Sequence, residues 1–151
     1  MRIHLKADRM SAIKDFILTN DIKPGDAIKA KKVGWEILDH YSVYVGQDGH
    51  GEHYFMANSM THGVRYYHEI ETEQLLREFF PKQIKRFIGD DSERQAAINR
   101  AVNEEGKKYN LLGYNCEHFC NLVQSGKKYS KQVNNVGLGL AASLFIVGLS
   151  K

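Results

Sequence analysis

The chain has 151 residues, of which 42% are hydrophobic and 26% charged, and its formal net charge is +3. This length is sufficient for one domain with its own core, and the composition is that of an ordinary globular protein. The mild positive charge permits attraction to an anionic membrane, but no stripe of Lys and Arg interleaved with aromatic residues indicates nucleic-acid binding. We therefore expect a small globular protein with no nucleic-acid partner.

The first half of the chain predicts one helix followed by a run of strands. Apolar residues at helical spacing predict a helix after Ser11, and Asn20 is its expected stop. A turn is expected at Pro24–Asp26. The strands expected after this turn are Asp26–Lys32, His40–Gly46, Glu52–Asn58 and Gly63–Ile70, with a hairpin loop at Gln47–Gly51.

The second half predicts mainly helices. The elements expected there are a short helix from Thr72 through Phe80 that Pro81 ends, a strand at Gln83–Ile88, a helix capped by Asp91 or Ser92, and a helix capped by Asn115 and ended near Gly126. Strands that are grouped in the first half and helices in the second are typical of an α+β domain.

The two cysteines of the chain, Cys116 and Cys120, lie four positions apart in the last predicted helix. Helix geometry points their side chains along one face in fixed directions, which makes a disulfide between them unfavourable. We therefore predict two reduced thiols in a reducing compartment. The N-terminal residues lack the apolar core of a secretory signal peptide, so a cytoplasmic location is expected.

Cys116 is the candidate nucleophile because it is expected in the first turn of its helix. The unpaired N–H groups there carry partial positive charge, which stabilises a thiolate. His40 opens a predicted strand, a rigid place from which an imidazole can act as base. If His53 on the next strand neighbours His40, it can fix the tautomer of His40, the role that Asp plays in a serine triad.

Other roles for these residues stay open at this point. A lone cysteine such as Cys116 is often a small buried side chain. Together with His40, His50 and His53 it could also form a zinc site, although the sequence has no closed Cys/His set with the usual spacing.

The neighbours of Cys116 have simpler expected roles. Glu117 suits the positive end of the helix dipole and is expected to stabilise the first turn. His118 lies about 200° around the helix axis from the thiol, so we expect it to be structural. Cys120, one turn further on, is expected to fill the core.

Two blocks of the sequence resemble a known family. Asn115-Cys116-Glu117-His118-Phe119, with Gly126 and Ser130-Lys131-Gln132-Val133 after it, is similar to the signature of the lecithin:retinol acyltransferase (LRAT) family. Its relatives, the H-Ras-like suppressor phospholipase/acyltransferases, share this block. The segment His40–Gly46 resembles the His-box strand of the family, and Pro24–Asp26 resembles its first-strand entry. The resemblance runs from about Ile22 to Asn134 in the same order.

This resemblance implies a permuted papain-like (NlpC-like) α+β fold in which the helix bearing Cys116 packs on an antiparallel sheet. It implies a thioester mechanism with Cys116 as nucleophile, His40 as base and His53 as the orienting third member. It also implies a phospholipid acyl donor, no cofactor and no metal. Two other functions stay open: a non-catalytic membrane-associated or interaction module on the same fold, and an NlpC-like cysteine peptidase or amidase.

The C-terminal segment Val136–Leu149 contains no charged residue, and Lys127, Lys128 and Lys131 precede it. It is shorter than the about 20 apolar residues of a membrane span, but it can lie in a membrane interface or pack as a buried helix. We expect this tail to contact a membrane surface, which makes the protein peripheral or tail-anchored. The predicted organisation is a helical extension at 1–21, an LRAT-like catalytic domain at 22–134 and an apolar tail at 135–151.

Overall fold

The computed structural model describes residues 12–32, 39–77 and 79–137. Its helices are α1 (Ala12–Thr19), α2 (Glu69–Arg77), α3 (Asp91–Asn103) and α4 (Cys116–Ser125), and a further helical segment, α5, covers residues 131–137. Its strands are β1 (Ala27–Lys32), β2 (Asp39–Gln47), β3 (His53–Ser59), β4 (Gly63–His68) and β5 (Phe79–Lys85). These elements confirm the predicted α+β class.

The five strands form one antiparallel sheet in the order β4-β3-β2-β1-β5. Successive side chains of a strand point to opposite faces, so each face of this sheet can bury its own core. The core on the face covered by α3 and α4 includes Val43, Met56, Ala97 and Phe119. The core on the face covered by α1 includes Ile13, Ile17, Ile28, Tyr44 and Phe55. The cysteine-bearing helix α4 therefore packs on the sheet, consistent with the expected papain-like fold.

The boundary between β4 and α2 differs from the sequence prediction. The strand ends at His68 and the helix begins at Glu69, so Ile70 is helical. Thr72 does not cap this helix, because its hydroxyl donates from within the first turn to the carbonyl oxygen of His68 at 3.1 Å. No glycine or proline separates His68 from Glu69, so the sequence pattern alone does not mark this boundary.

The strand β5 begins earlier than predicted. Phe79–Phe80 belong to this strand and not to the preceding helix, and Pro81 lies within it, opposite Ala30 of β1. A sheet tolerates proline at an edge or beside a bulge, and β5 is an edge strand whose register with β1 shifts next to Ala30. The strand ends before Ile88, whose side chain is 93% exposed.

The cap of α3 is Asp90, one residue before the predicted positions Asp91 and Ser92. The Asp90 carboxylate accepts the backbone N–H of Glu93, and the Glu93 carboxylate accepts that of Asp90, both at 2.8 Å. This reciprocal pair is a capping box. The helix therefore begins with two of its otherwise unpaired donors satisfied.

The turn at Pro24–Asp26 forms as predicted, and hydrogen bonds to the side chain of its last residue stabilise it. The buried Asp26 carboxylate accepts the backbone N–H groups of Lys23 and Phe87. It also accepts hydrogen bonds from the guanidinium groups of Arg86 and Arg94. These bonds join the start of β1 to the segment after β5 and to α3.

Within residues 12–32, 39–77 and 79–137, no helix is both long and apolar enough to cross a membrane. The predicted tail at 135–151 lies outside the described residues, apart from its first part at positions 135–137. In α5, Val136 is 43% exposed. The predicted boundaries at residues 21 and 135 stay predictions.

Candidate active site

The helix α4 begins at Cys116, and Asn115 caps it as predicted. The Asn115 Oδ1 atom accepts the backbone N–H groups of Glu117 and His118, each at 3.0 Å. In return, His118 Nδ1 accepts the backbone N–H of Asn115 at 3.2 Å. This capping box fixes the first turn, and it gives His118 a structural role, as the sequence predicts. The helix ends at Gly126, whose φ of 70° is left-handed.

The thiol of Cys116 lies against the beginning of β2. Its Sγ atom donates to the carbonyl oxygen of Asp39 at 3.5 Å, and the backbone N–H of Tyr41 is directed at the same sulfur. Asp39 and Tyr41 flank His40 in the chain, so the sulfur touches the backbone on both sides of this histidine. The structure therefore brings the positions of Cys116 and His40 together, although they are far apart in sequence.

The sulfur is more enclosed than the sequence predicts. Cys116 is only 8% exposed, and burial raises the pKa of its thiol to about 11 against smaller lowering effects of the Tyr41 and Glu117 N–H groups. The cap also occupies two first-turn donors, because Asn115 accepts the N–H groups of Glu117 and His118. The helix N-terminus alone does not keep this thiol ionised, so nucleophilic attack requires a base.

His40 occupies the second position of β2, and its cross-strand partner in β1 is Ala30. The residue before it, Asp39, forms an ion pair with Lys29 of the same neighbouring strand at 3.2 Å. The side chain of His40 is half-buried. A strand paired in this way holds the His40 backbone rigidly beside the thiol.

The structure does not place His53 next to His40, and this expectation is wrong. The two residues do lie on neighbouring antiparallel strands, but the partner of His53 is Gln47 at the far end of β2. Gln47 lies seven residues beyond His40, which corresponds to about 20 Å along a strand. The hairpin loop after Gln47 and the register shift between Tyr44 and Gly46 decide this pairing; the sequence predicts the loop, but residue spacing does not reveal the shift.

His53 instead belongs to a buried polar cluster at the hairpin end of the sheet. Its Nδ1 lies 2.7 Å from the Tyr44 hydroxyl and its Nε2 lies 3.0 Å from Gln47 Nε2. Its backbone N–H donates to the buried Glu69 carboxylate at 3.0 Å. Burial lowers the pKa of His53 below its ordinary value. Because these bonds join β2, β3 and α2, His53 has a structural role in this arrangement.

The remaining candidates from the sequence are Cys120, His50 and a zinc site. Cys120 is fully buried, and burial raises the pKa of its thiol to about 12, in agreement with its predicted place in the core. His50 lies in the exposed hairpin loop, where its backbone N–H donates to Asp48. In the described part of the chain, no three His, Cys, Asp or Glu side chains are arranged to hold a metal ion.

Glu117 does more than the predicted stabilisation of the first turn. Its buried carboxylate accepts the Ser130 hydroxyl at 2.5 Å and the backbone N–H of Gln132 at 2.9 Å. The Gln132 side chain in turn contacts the backbone of Asp39. Sequence reasoning had no role for Ser130 and Gln132; the only signal was their place in the block that resembles the family signature.

Two leucines on the chain just before α4 are unusually exposed. Leu111 is 46% exposed and Leu112 is 68% exposed. The Asn115 side chain donates to the carbonyl oxygen of Leu111 at 3.1 Å, which ties this loop to the start of the cysteine helix. The loop that leads into the cysteine helix therefore exposes apolar side chains.

Comparison with known proteins gives a family match. A model of the family "Lecithin retinol acyltransferase" matches residues 20–129, which includes β1 to β5, His40 and the helix with Cys116. Comparison with curated proteins gave no match. Acyltransferase- or phospholipase-type activity is what the family indicates. Since the family model covers most of the chain, this protein belongs to the lecithin retinol acyltransferase family.

Proposed function

We propose that this protein is a cysteine-dependent phospholipid acyltransferase or phospholipase A that forms an acyl-thioester on Cys116. The observation that carries the proposal is the position of Cys116 Sγ in the first turn of α4, against the backbone groups on both sides of His40. Family membership supports acyl transfer as the class of reaction.

In the first step, the thiol proton of Cys116 moves to His40 while the sulfur attacks the ester carbonyl carbon. The C–S bond forms, the C–O bond to the leaving alcohol breaks, and His40 returns the proton to the departing oxygen. A base is needed because burial keeps the thiol neutral near pH 7. The backbone N–H of Cys116, at the positive end of α4, is suited to stabilise the tetrahedral oxyanion.

In the second step, water, an amine or a hydroxyl compound attacks the thioester carbonyl. His40 takes the proton of the attacking group and passes it to the sulfur as the C–S bond breaks, which restores the thiol. Water gives hydrolysis, whereas another acceptor gives acyl transfer. Neither step needs a cofactor.

The exposed leucines support a lipid as the acyl donor. Leu111 and Leu112 expose apolar surface in the loop that leads into the cysteine helix. An acyl chain that packs against this surface removes apolar area from water, which contributes about 25 cal/mol of binding free energy per Å². A peptide substrate would need backbone partners at the same place, so the leucines favour a lipid over a peptide.

We propose further that the tail contacts an anionic membrane. The apolar run that begins at Val136 follows Lys127, Lys128 and Lys131, each of which can add about 1 kcal/mol near an anionic surface. Co-sedimentation with phosphatidylserine-containing vesicles should capture the full chain and lose most of a chain truncated before Val136. Equal sedimentation of both chains would contradict this role of the tail.

Intact-mass measurement after incubation with phosphatidylcholine tests the catalytic proposal. The wild-type chain and Cys120→Ser should both gain the mass of one acyl group, and hydroxylamine should remove it from a thioester. Cys116→Ser should gain nothing. An adduct that persists in Cys116→Ser and disappears in Cys120→Ser would reverse the assignment of the nucleophile.

A second function, a non-catalytic module on the same fold, is favoured by one observation. Cys116 is 8% exposed and its thiol pKa is raised to about 11, as in a structural cysteine. For such a module, phospholipid leaves no adduct on the wild-type chain, and Cys116→Ser keeps vesicle binding. The same mass measurement therefore separates the two functions.

A further inference from the structure

The side chain of Gln132 holds the residue that precedes His40. Its Oε1 atom accepts the backbone N–H of Asp39 at 2.7 Å, and its Nε2 atom donates to the Asp39 carbonyl oxygen at 3.5 Å. That carbonyl oxygen also accepts the hydrogen bond from Cys116 Sγ. One amide group therefore clamps the peptide that receives the thiol hydrogen and leads into the candidate base.

The backbone of Gln132 is anchored to the other side of the site. Its N–H donates to the Glu117 carboxylate at 2.9 Å, and the same carboxylate oxygen accepts the Ser130 hydroxyl. Glu117 directly follows Cys116 in α4. The contacts therefore form a closed ring from Cys116 through Asp39, Gln132 and Glu117 back to the cysteine helix.

We propose that Gln132 is a positioning residue that fixes the Cys116 thiol relative to His40. Gln132 does not touch the sulfur; it acts through Asp39, whose carbonyl oxygen sets the direction of the S–H bond. The hydrogen bond from the thiol to this oxygen favours the neutral thiol. Without the Gln132 amide, this hydrogen bond should weaken, so the thiol should ionise more easily. The sulfur should also be less well aligned for attack on the ester. The part of this proposal that concerns acylation rests on the proposed function.

The chain offers a matched control in Gln124, at the other end of α4. Its Nε2 atom donates to the carbonyl oxygens of Gly25 and Lys85, both at 2.9 Å. This glutamine also joins separate segments through their backbone, but its partners do not contact Cys116. Methionine at either position keeps a similar length and removes the amide, so the two variants differ in which backbone they release.

The test compares Gln132→Met and Gln124→Met in a Cys120→Ser background, where iodoacetamide can alkylate Cys116 only. In Gln132→Met, we expect the midpoint of the alkylation rate against pH to fall by at least half a unit. We also expect acylation from phosphatidylcholine to slow about 10- to 100-fold, as misalignment of reacting groups by about 1 Å does. In Gln124→Met, the alkylation midpoint and the acylation rate should both equal those of the Cys120→Ser background protein, even if the melting temperature of the Gln124→Met variant is lower.

An unchanged alkylation midpoint in Gln132→Met, or an equal shift in Gln124→Met, would overturn the positioning role. Alkylation does not depend on acyl transfer, so the two proposals fail separately. A background protein that is never acylated but shows the Gln132-specific shift contradicts the proposed function alone. A background protein that is acylated but shows no such shift contradicts the positioning role alone. Gln132→Ala repeats the alkylation test if the methionine variant does not melt cooperatively.

Discussion

The two ends of the β2–β3 hairpin each hold a histidine, and they place it in opposite surroundings. At the open end, the peptide of His40 lies beside a thiol at the start of α4. At the hairpin end, both ring nitrogens of His53 already have polar neighbours, Tyr44 and Gln47. The first end offers a sulfur with a displaceable hydrogen, whereas the second end is a closed polar cluster.

This difference shows that position along a strand decides the role of a histidine more than the strand that carries it. A catalytic base must lie within reach of the proton that it removes. The packing of α4 against the beginning of β2 places the backbone of His40 beside the thiol, and the proposed mechanism assigns the proton transfer to its imidazole. The hairpin end is separated from that helix terminus by about 20 Å of strand, so His53 can strengthen the sheet without taking part in the chemistry.

The largest effect is expected at the sulfur itself. Cys116→Ser should lower acyl-enzyme formation by at least about 10⁴-fold, because a serine hydroxyl is a far weaker nucleophile with the same base. The melting temperature should change little, since serine fits the same space. Stopped assays with phosphatidylcholine measure the rate, and Cys120→Ser is the control that should stay active. Similar losses of acylation rate in both variants would mean that the two cysteines support the packing of the protein and that neither is the nucleophile.

The second prediction sets the two histidines against each other. His40→Ala should slow acylation by about 10²- to 10⁴-fold, the usual contribution of a general base. His53→Gln should leave the acylation rate near that of the wild type while lowering the free energy of unfolding by about 1–3 kcal/mol, because buried polar neighbours lose a partner. If His53→Gln slows acylation as much as His40→Ala, the division between the two ends is wrong.

The third prediction concerns the closed end alone. Tyr44→Phe removes the hydroxyl that lies 2.7 Å from His53 Nδ1 and should lower the free energy of unfolding by about 1–3 kcal/mol. Urea unfolding measures this loss, and the acylation rate should not change. Tyr129→Phe changes a partly exposed tyrosine and serves as the control. Loss of activity without loss of stability in Tyr44→Phe would link this end to the chemistry.

The smallest expected effect is a pH dependence of stability. Burial lowers the pKa of both His53 and His118 from the ordinary value of 6.5. Below pH 6.5 the unfolded chain therefore binds protons that the folded chain does not, and the free energy of unfolding should fall as the pH decreases. Urea unfolding between pH 7.5 and 5.0 should show a shallower fall in His53→Gln. An unchanged slope would mean that His53 is not buried in its neutral form.

Local signals predicted much of the fold and the place of the candidate nucleophile in its helix. The caps of α4 could be read directly, because Asn115 and Gly126 satisfy the ends of a helix through local chemistry. The start of β5 could not be read, because residues 79–80 fit both a helix and a strand. Pairing with β1 decides between the two, and that contact is distant in sequence.

The candidate site shows the same limit. The candidate nucleophile Cys116 and the strand of His40 follow from motifs, but the position of His53 depends on hairpin register. The raised pKa of the Cys116 thiol depends on how tightly α4 and β2 enclose it. The role proposed for Gln132 depends on a contact with Asp39 across most of the chain. Register, burial and long-range contacts are properties of the packed molecule, which residue spacing does not contain.

The most direct test of the account locates the acyl group on one sulfur. Trypsin should release Tyr109–Lys127 as one peptide, which contains both Cys116 and Cys120. After incubation with phosphatidylcholine, tandem mass spectrometry of this peptide can assign the added mass to either cysteine. We predict an acyl group on Cys116 and none on Cys120. An acyl group on Cys120, or no acylated peptide under conditions of phospholipid turnover, would contradict it.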